Sequence, residues 1–224
     1  MNSVPSLILG LCAAALPSLC VAQTGRMAPM TIVDIAAMPI GSTPTGFTEA
    51  LTGHGKPVRW QVLEDATAPG HVVIAETSRD IADYRFPLCI YDHVIAKDVE
   101  ISVKFKPVAG SVDQAGGVIA RVQDPLNYYV TRANALEDNV RLYKVVAGVR
   151  RQLAGQNVTV SPGNWHTLSL KIAGDLLEVT FDGTRVIQSR DSTFAGSGKV
   201  GIWTKADSLT HFADLNITAS APDK

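Results

Sequence analysis

The sequence predicts an all-β fold built from short antiparallel strands, as a sandwich or a barrel. Three observations point there. Val99, Ile101, Val103 and Phe105 alternate with Glu100, Ser102, Lys104 and Lys106, the period-two pattern of a strand with one buried face. No long window repeats at the helical period, so helices are single turns at most. Asp182-Gly183 stands between two apolar runs, and both residue types tolerate the positive φ that a tight hairpin needs.

Taken in order, residues 1–22 read as a secretory signal. Residues 7–16 are apolar, Pro17-Ser18 breaks the run, and Cys20-Val21-Ala22 offers small residues for cleavage after Ala22. The apolar run is too short for a bilayer, which needs roughly 20 residues. The expected address is therefore secreted or periplasmic, with no membrane partner after cleavage. Residues 23–46 read as an N-terminal tether and loop. Within them, 31–38 suits either a first strand or a short helix, and 39–46 is punctuated by Pro and Gly.

Strands are expected at 47–51, 58–63, 71–76 and 86–91, with one helical turn at 78–83. After the alternating strand 99–105 comes a loop, then Gly116-Gly117. Residues 118–122 are nearly all apolar apart from Arg121, which suits a central strand covered on both faces. Asp124-Pro125-Leu126-Asn127 reads as a turn. In 128–134, alternation puts Tyr128, Val130, Arg132 and Asn134 on one face and Tyr129, Thr131 and Ala133 on the other. A polar connection leads to strand 141–146, which Ala147-Gly148 reverses into 149–153. Strands 165–172, 177–181, 184–189, 199–204 and 211–218 complete the pattern, leaving residues 219–224 as a tail. Such spacing describes one domain, 47–218.

The formal net charge of −1 argues against nucleic acid or an anionic membrane surface as partner. Of three cysteines, two leave with the signal. Cys89 then has no intrachain partner and reads as a small buried apolar residue. Asn157 and Asn216 head N-x-T sequons, which matter only in a eukaryotic secretory pathway.

The stretch 114–146 is unusually rich in polar side chains: Arg121, Asn127, Arg132, Asn134, Glu137, Asn139 and Lys144. Arg, Asn and Glu supply donors and acceptors that match vicinal hydroxyls, and Tyr128 or Tyr129 could stack on a sugar ring. A bland alternative stays open, with Arg132 and Glu137 as a surface pair worth under about 1 kcal/mol and the asparagines shaping turns. Arg121 stands out because an arginine is rarely buried without a partner. Near the end of the chain, Val200 and Ile202 alternate inward, so Trp203 and Lys205 face the other side, followed by Asp207. A tryptophan cover with a snorkelling lysine is the alternative there. The ligand-binding candidates are thus Arg121, Asn127, Tyr129, Arg132, Asn134, Asn139, Trp203, Lys205 and Asp207. The candidates for catalysis are Arg132, Glu137 and Lys205.

The five histidines (54, 71, 93, 166 and 211) make no metal-ligand spacing, so no zinc site is expected. No cofactor is expected either, though calcium held by Asp and backbone oxygens stays open. There is no nucleophile elbow, phosphate loop or dinucleotide fingerprint.

The segments GGVIARVQDPLNYYVTRANALEDNVRLYK, GNWHTLSLKIAG, VTFDG and GKVGIWTKADS resemble the concanavalin A-like, laminin G-like jelly roll. Within it the chain is most similar to the 3-keto-disaccharide hydrolase domain family, a bacterial secreted group. The resemblance spans roughly residues 47–218. It implies a two-sheet antiparallel β-sandwich, one sheet convex and one concave, with sugars meeting the concave side or its rim. The E-x-D-x-x-E pattern of laminarinase-type glycosidases on this fold is absent. Three functions follow as expectations: a carbohydrate-contacting module, a hydrolase or lyase of 3-keto-disaccharides, or a structural or adhesive domain without a small ligand.

Overall fold

Alternation of apolar side chains, with a turn residue at each reversal, folds the chain into two stacked antiparallel sheets. The computed structural model describes Met1 and residues 30–220. The expected signal, its cleavage point and residues 221–224 lie outside the described residues. The strands are β1 (Met30–Ile32), β2 (Phe47–Gly53), β3 (Trp60–Glu64), β4 (Val72–Glu76), β5 (Arg85–Ala96), β6 (Val99–Ala109), β7 (Ala115–Asp124), β8 (Asn127–Asn134), β9 (Asn139–Val146), β10 (Val149–Asn157), β11 (His166–Ala173), β12 (Leu176–Phe181), β13 (Thr184–Arg190), β14 (Gly198–Trp203) and β15 (Leu209–Ala219).

One sheet runs β13-β12-β11-β6-β15-β4-β3, with β1 beside β15 on the same side as β4 and further along. The other runs β10-β9-β8-β7-β14-β5-β2. Between them lies the main core. Ile101, Val103 and Phe105 of β6 and Leu168, Leu170 and Ile172 of β11 meet Val118, Ala120, Tyr129, Ala133 and Ile202 from the opposite sheet. The polar partners of the 99–106 alternation face away, as the period requires. Cys89 belongs to this interlayer core and is fully buried. Burial drives its thiol well above the ordinary range.

The tight reversals are chemically specified. Phe181 pairs with Thr184 across Asp182 and Gly183, whose φ values are 46° and 78°. Ala147 and Gly148 repeat the geometry at 49° and 78° between Val146 and Val149. Both are hairpins whose two central residues need positive φ.

Two sequence expectations change. Residues 77–82 are irregular, and the expected helical turn is absent. The sandwich also begins before residue 47. Segment 31–38 proves to be both of its alternatives in succession, the strand β1 and then a 3₁₀ turn, Ile35–Ala37, capped by Asp34. Backbone bonds from Gly41 to Val62 and from Val62 to Ser42 then tie the following loop to β3. Residues 30–46 are thus part of the folded layer.

Leu170→Ala should lower stability by about 2–5 kcal/mol, because a fully buried leucine in a close-packed interlayer leaves a cavity. Urea unfolding would show this as a lower midpoint at unchanged slope.

Candidate functional site

The seven-stranded sheet is apolar on both faces. Its outer side, turned away from the interlayer core, carries Phe86, Leu88, Ile90, Ile119, Tyr128, Val130, Tyr143, Val145 and Trp203. Register explains why the predicted residues join them. Asn134 stands opposite Ala115 and Asn139, Arg132 opposite Gly117 and Arg141, and Gly117 opposite Trp203. Directly paired residues point to the same face, so Arg132, Asn134, Asn139 and Trp203 share one side. Gly117 makes room: a Cβ there would sit 3.2 Å from the Trp203 ring and 2.6 Å from the Thr131 carbonyl.

Around Trp203 the rings form a cluster. Phe86 stacks on it with centroids 5.5 Å apart and planes 24° apart. The Arg150 guanidinium lies 4.5 Å from the Phe86 centroid, 4.6 Å from Tyr143 and 6.0 Å from Trp203, a set of cation–π contacts. The Tyr128 hydroxyl meets Thr52 at 2.8 Å, and burial pushes this phenol up to about 12.

Two ionic groups border the cluster. Arg132 donates to Glu137 at 2.7 Å, to Asn139, and to the Tyr143 hydroxyl at 3.3 Å. Burial would raise the Glu137 carboxyl, but Asn139 and Arg132 outweigh it and hold it below the usual range. Lys205 reaches Asp83 and, at 2.9 Å, Asp113. Asp113 in turn accepts from Asn134 at 2.9 Å. Burial raises the Asp113 carboxyl despite Lys205. Burial would lower the Lys205 ammonium, yet the hydrogen bonds to Asp83 and Asp113 keep it above its ordinary value. In both groups the cation is buried while one acidic partner is open to solvent. The Arg132 side chain is 5% exposed beside Glu137 at 46%, and Lys205 is 10% exposed beside Asp83 at 77%.

The remaining predicted residues lie elsewhere. Arg121 has φ 49° at a break in the β7–β8 ladder. It donates at 2.7 Å to each of the carbonyls of Lys97, Phe194 and Gly174, and approaches Asp98 at 3.4 Å. Asn127 closes the β7–β8 turn by bonding Asp124 and accepting from Ala147. Tyr129 faces the interlayer core and donates to Asp191 at 2.7 Å. Asp207 accepts from Ser111, Val112 and Asp113, shaping the loop before β7. Burial of Asp207 is outweighed by these donors, so its carboxyl is held low. Among the described residues no three His, Cys, Asp or Glu side chains gather as a metal cluster. His166 is held by Asp182 and the Ser161 carbonyl.

Sequence reasoning passed over Arg150, Tyr143, Phe86, Asp83 and Asp113. For Arg150 a signal existed. The Ala147-Gly148 hairpin sets Arg150 opposite Val145, and so on the Arg132 face. Among the described residues, Arg132 Nε and Arg150 Nη1 are buried donors without a hydrogen-bond partner, and the Trp203 indole N–H is turned to the Tyr128 hydroxyl.

Two stacked antiparallel sheets with such an outer face define a lectin-like β-sandwich. Residues 56–220 match the family described as the galactocerebrosidase C-terminal lectin domain, and the chain belongs to that family. No curated protein matches. Among solved structures, the carbohydrate-binding module CBM66 from Bacillus subtilis is similar at 20% identity and a TM-score of 0.61, over 81% of this chain and 100% of that one. A Bacillus subtilis protein of unknown function with a galectin-like fold is similar at 11% identity and a TM-score of 0.56, over 76% and 88% of the two chains. A Shewanella oneidensis MR-1 protein of unknown function is similar at 16% identity and a TM-score of 0.54, over 87% and 89%. At such identities these likenesses concern the fold.

Arg121→Met should cost about 1–3 kcal/mol, since it strips the buried Phe194 carbonyl of its donor, whereas the part-buried Lys97 and Gly174 carbonyls can turn to water. The loss is read by denaturant unfolding.

Proposed function

We propose that the protein binds a glycan on the outer face of its seven-stranded sheet, where the Trp203 cluster meets Arg132, Asn134, Asn139 and Lys205. The observation that carries this reading is the convergence itself. Residues far apart in sequence bring aromatic faces, guanidinium forks and amides to one end of one face. Phe86, Tyr128 and Trp203 are fully buried under Arg150 and Tyr143, so a sugar would meet the Arg150, Tyr143 and Arg132 surface of the cluster, where the planar, bidentate donors of arginine suit adjacent ring oxygens. Membership in a family named for a lectin domain supports the reading, as does the likeness to a carbohydrate-binding module. The apolar stretch 7–16, followed by small residues up to Ala22, supports a secreted or periplasmic setting.

A second reading, hydrolysis or elimination on a 3-keto-disaccharide, has its own supporting observation. The raised Asp113 carboxyl sits 2.9 Å from Lys205. A proton α to a ketone is acidic, so one carboxylate base with a cation beside the enolate would suffice. Incubation with a 3-keto-glucoside and product analysis decides it. Turnover that falls at least about a hundredfold in Asp113→Asn would favour this reading, and absence of turnover would end it.

For the binding reading, calorimetric titration against a glycan panel should give a saturable isotherm. Arg132→Gln and Tyr143→Leu should weaken it at least tenfold, about 1.4 kcal/mol, with unfolding midpoints still above the assay temperature. Parent-like affinity in both variants would refute the placement of the site.

A further inference from the structure

Resting on the glycan-binding reading, we infer that the sugar taken by this face is acidic, with a carboxylate that meets the Arg150 and Arg132 guanidinium groups. Among the described residues, the buried side-chain atoms without a partner on this face are N–H donors, Arg132 Nε and Arg150 Nη1, while the Trp203 indole N–H is turned to the Tyr128 hydroxyl. Gln114 Oε1 is the one unpartnered acceptor, and its amide is turned to the Gly110 carbonyl in the loop before β7. A neutral hydroxyl brings a donor with every acceptor, whereas an ionised carboxylate only accepts. A surplus of donors therefore selects an acceptor-only group.

Charge points the same way. Arg150 forms no ion pair among the described residues. Its guanidinium instead rests against Phe86, Tyr143 and Trp203. A stacked guanidinium keeps its edge donors free and its plane fixed, which suits bidentate capture of a carboxylate.

The two neighbouring cations already hold carboxylates. Arg132 has Glu137, and Lys205 has Asp83 as well as the buried Asp113. Glu137 and Asp83 are the solvent-open members of their pairs. Glu137 is nearly half exposed while Arg132 is buried, so this carboxylate can swing into water at modest cost and a ligand carboxylate can take its place, keeping the buried guanidinium matched throughout. Glu137 thus acts as a stand-in for the ligand's own acid group.

The test uses matched saccharides that differ only in the acid group: trigalacturonate with its carboxyl-reduced galactotriose, and sialyllactose with its carboxyl-reduced form. Each is titrated at low and at high salt. The inference expects the acidic member of at least one pair to bind tenfold or more tighter than its neutral counterpart, with the preference shrinking in high salt and disappearing in Arg150→Gln. Should Arg150→Gln fail to fold, Arg150→Lys decides, because it keeps the charge and loses the planar fork; a lost preference supports the inference and an unchanged one overturns it. Equal binding within both pairs, or binding confined to neutral glycans of the wider panel, overturns the acidic inference and leaves glycan binding standing. Silence from every saccharide overturns both.

Discussion

Two neighbouring passages of the chain from one sheet to the other determine the geometry of the candidate site. After β6 the chain crosses into the seven-stranded sheet at β7, and after β14 it crosses back at β15. The crossings are laced together by buried polar groups. Asp207 gathers the backbone donors of Ser111, Val112 and Asp113. The Ala115 amide donates to Ser208, and the Ala115 carbonyl accepts from Thr204 and Thr210. Lys205 grips Asp113 across the same seam. Polar groups withdrawn from water must find partners, and here they find them in each other. The lacing presents Asn134, Lys205 and Asp113 to the end of the outer face, beside Arg132.

Burial alone does not distinguish the arginines; donor satisfaction does. Arg85 is fully buried and spends its guanidinium on Glu76, Ser78 and the carbonyls of Lys56, Pro57 and Ala206. Arg121 does likewise at the far end of β7. Both are ties between segments. Arg132 and Arg150 instead retain buried N–H groups without partners among the described residues, which costs free energy that neither Arg85 nor Arg121 incurs.

What the sequence could convey followed its periods. Strand 99–106 alternates without interruption, so its inner and outer faces were legible residue by residue. Arg132, Asn134 and Trp203 were legible for the same reason, since each sits on a strand whose parity is unbroken toward the site. Arg121 was not, because the β7–β8 register breaks between Ala120 and Asp124 and its backbone turns to positive φ; counting by twos fails across such a break. Tyr129 is a different case. Its parity set it opposite Arg132 from the outset, and its reach to Asp191 depends on a contact 62 positions away. The roles of Asp83 and Asp113 also rest on pairings with Lys205 distant in sequence, which no local pattern carries.

Cys89 adds a practical dimension. Its sulfur lies between the layers with no water contact, on a strand flanked by β14 and β2. The described domain holds together without a covalent crosslink, so its folding does not wait on an oxidant and can proceed in reducing or oxidising compartments alike. An alkylating reagent can meet that thiol only when the layers part. The rate of labelling at Cys89 is consequently a native clock for the parting of the layers, one that needs no engineered probe.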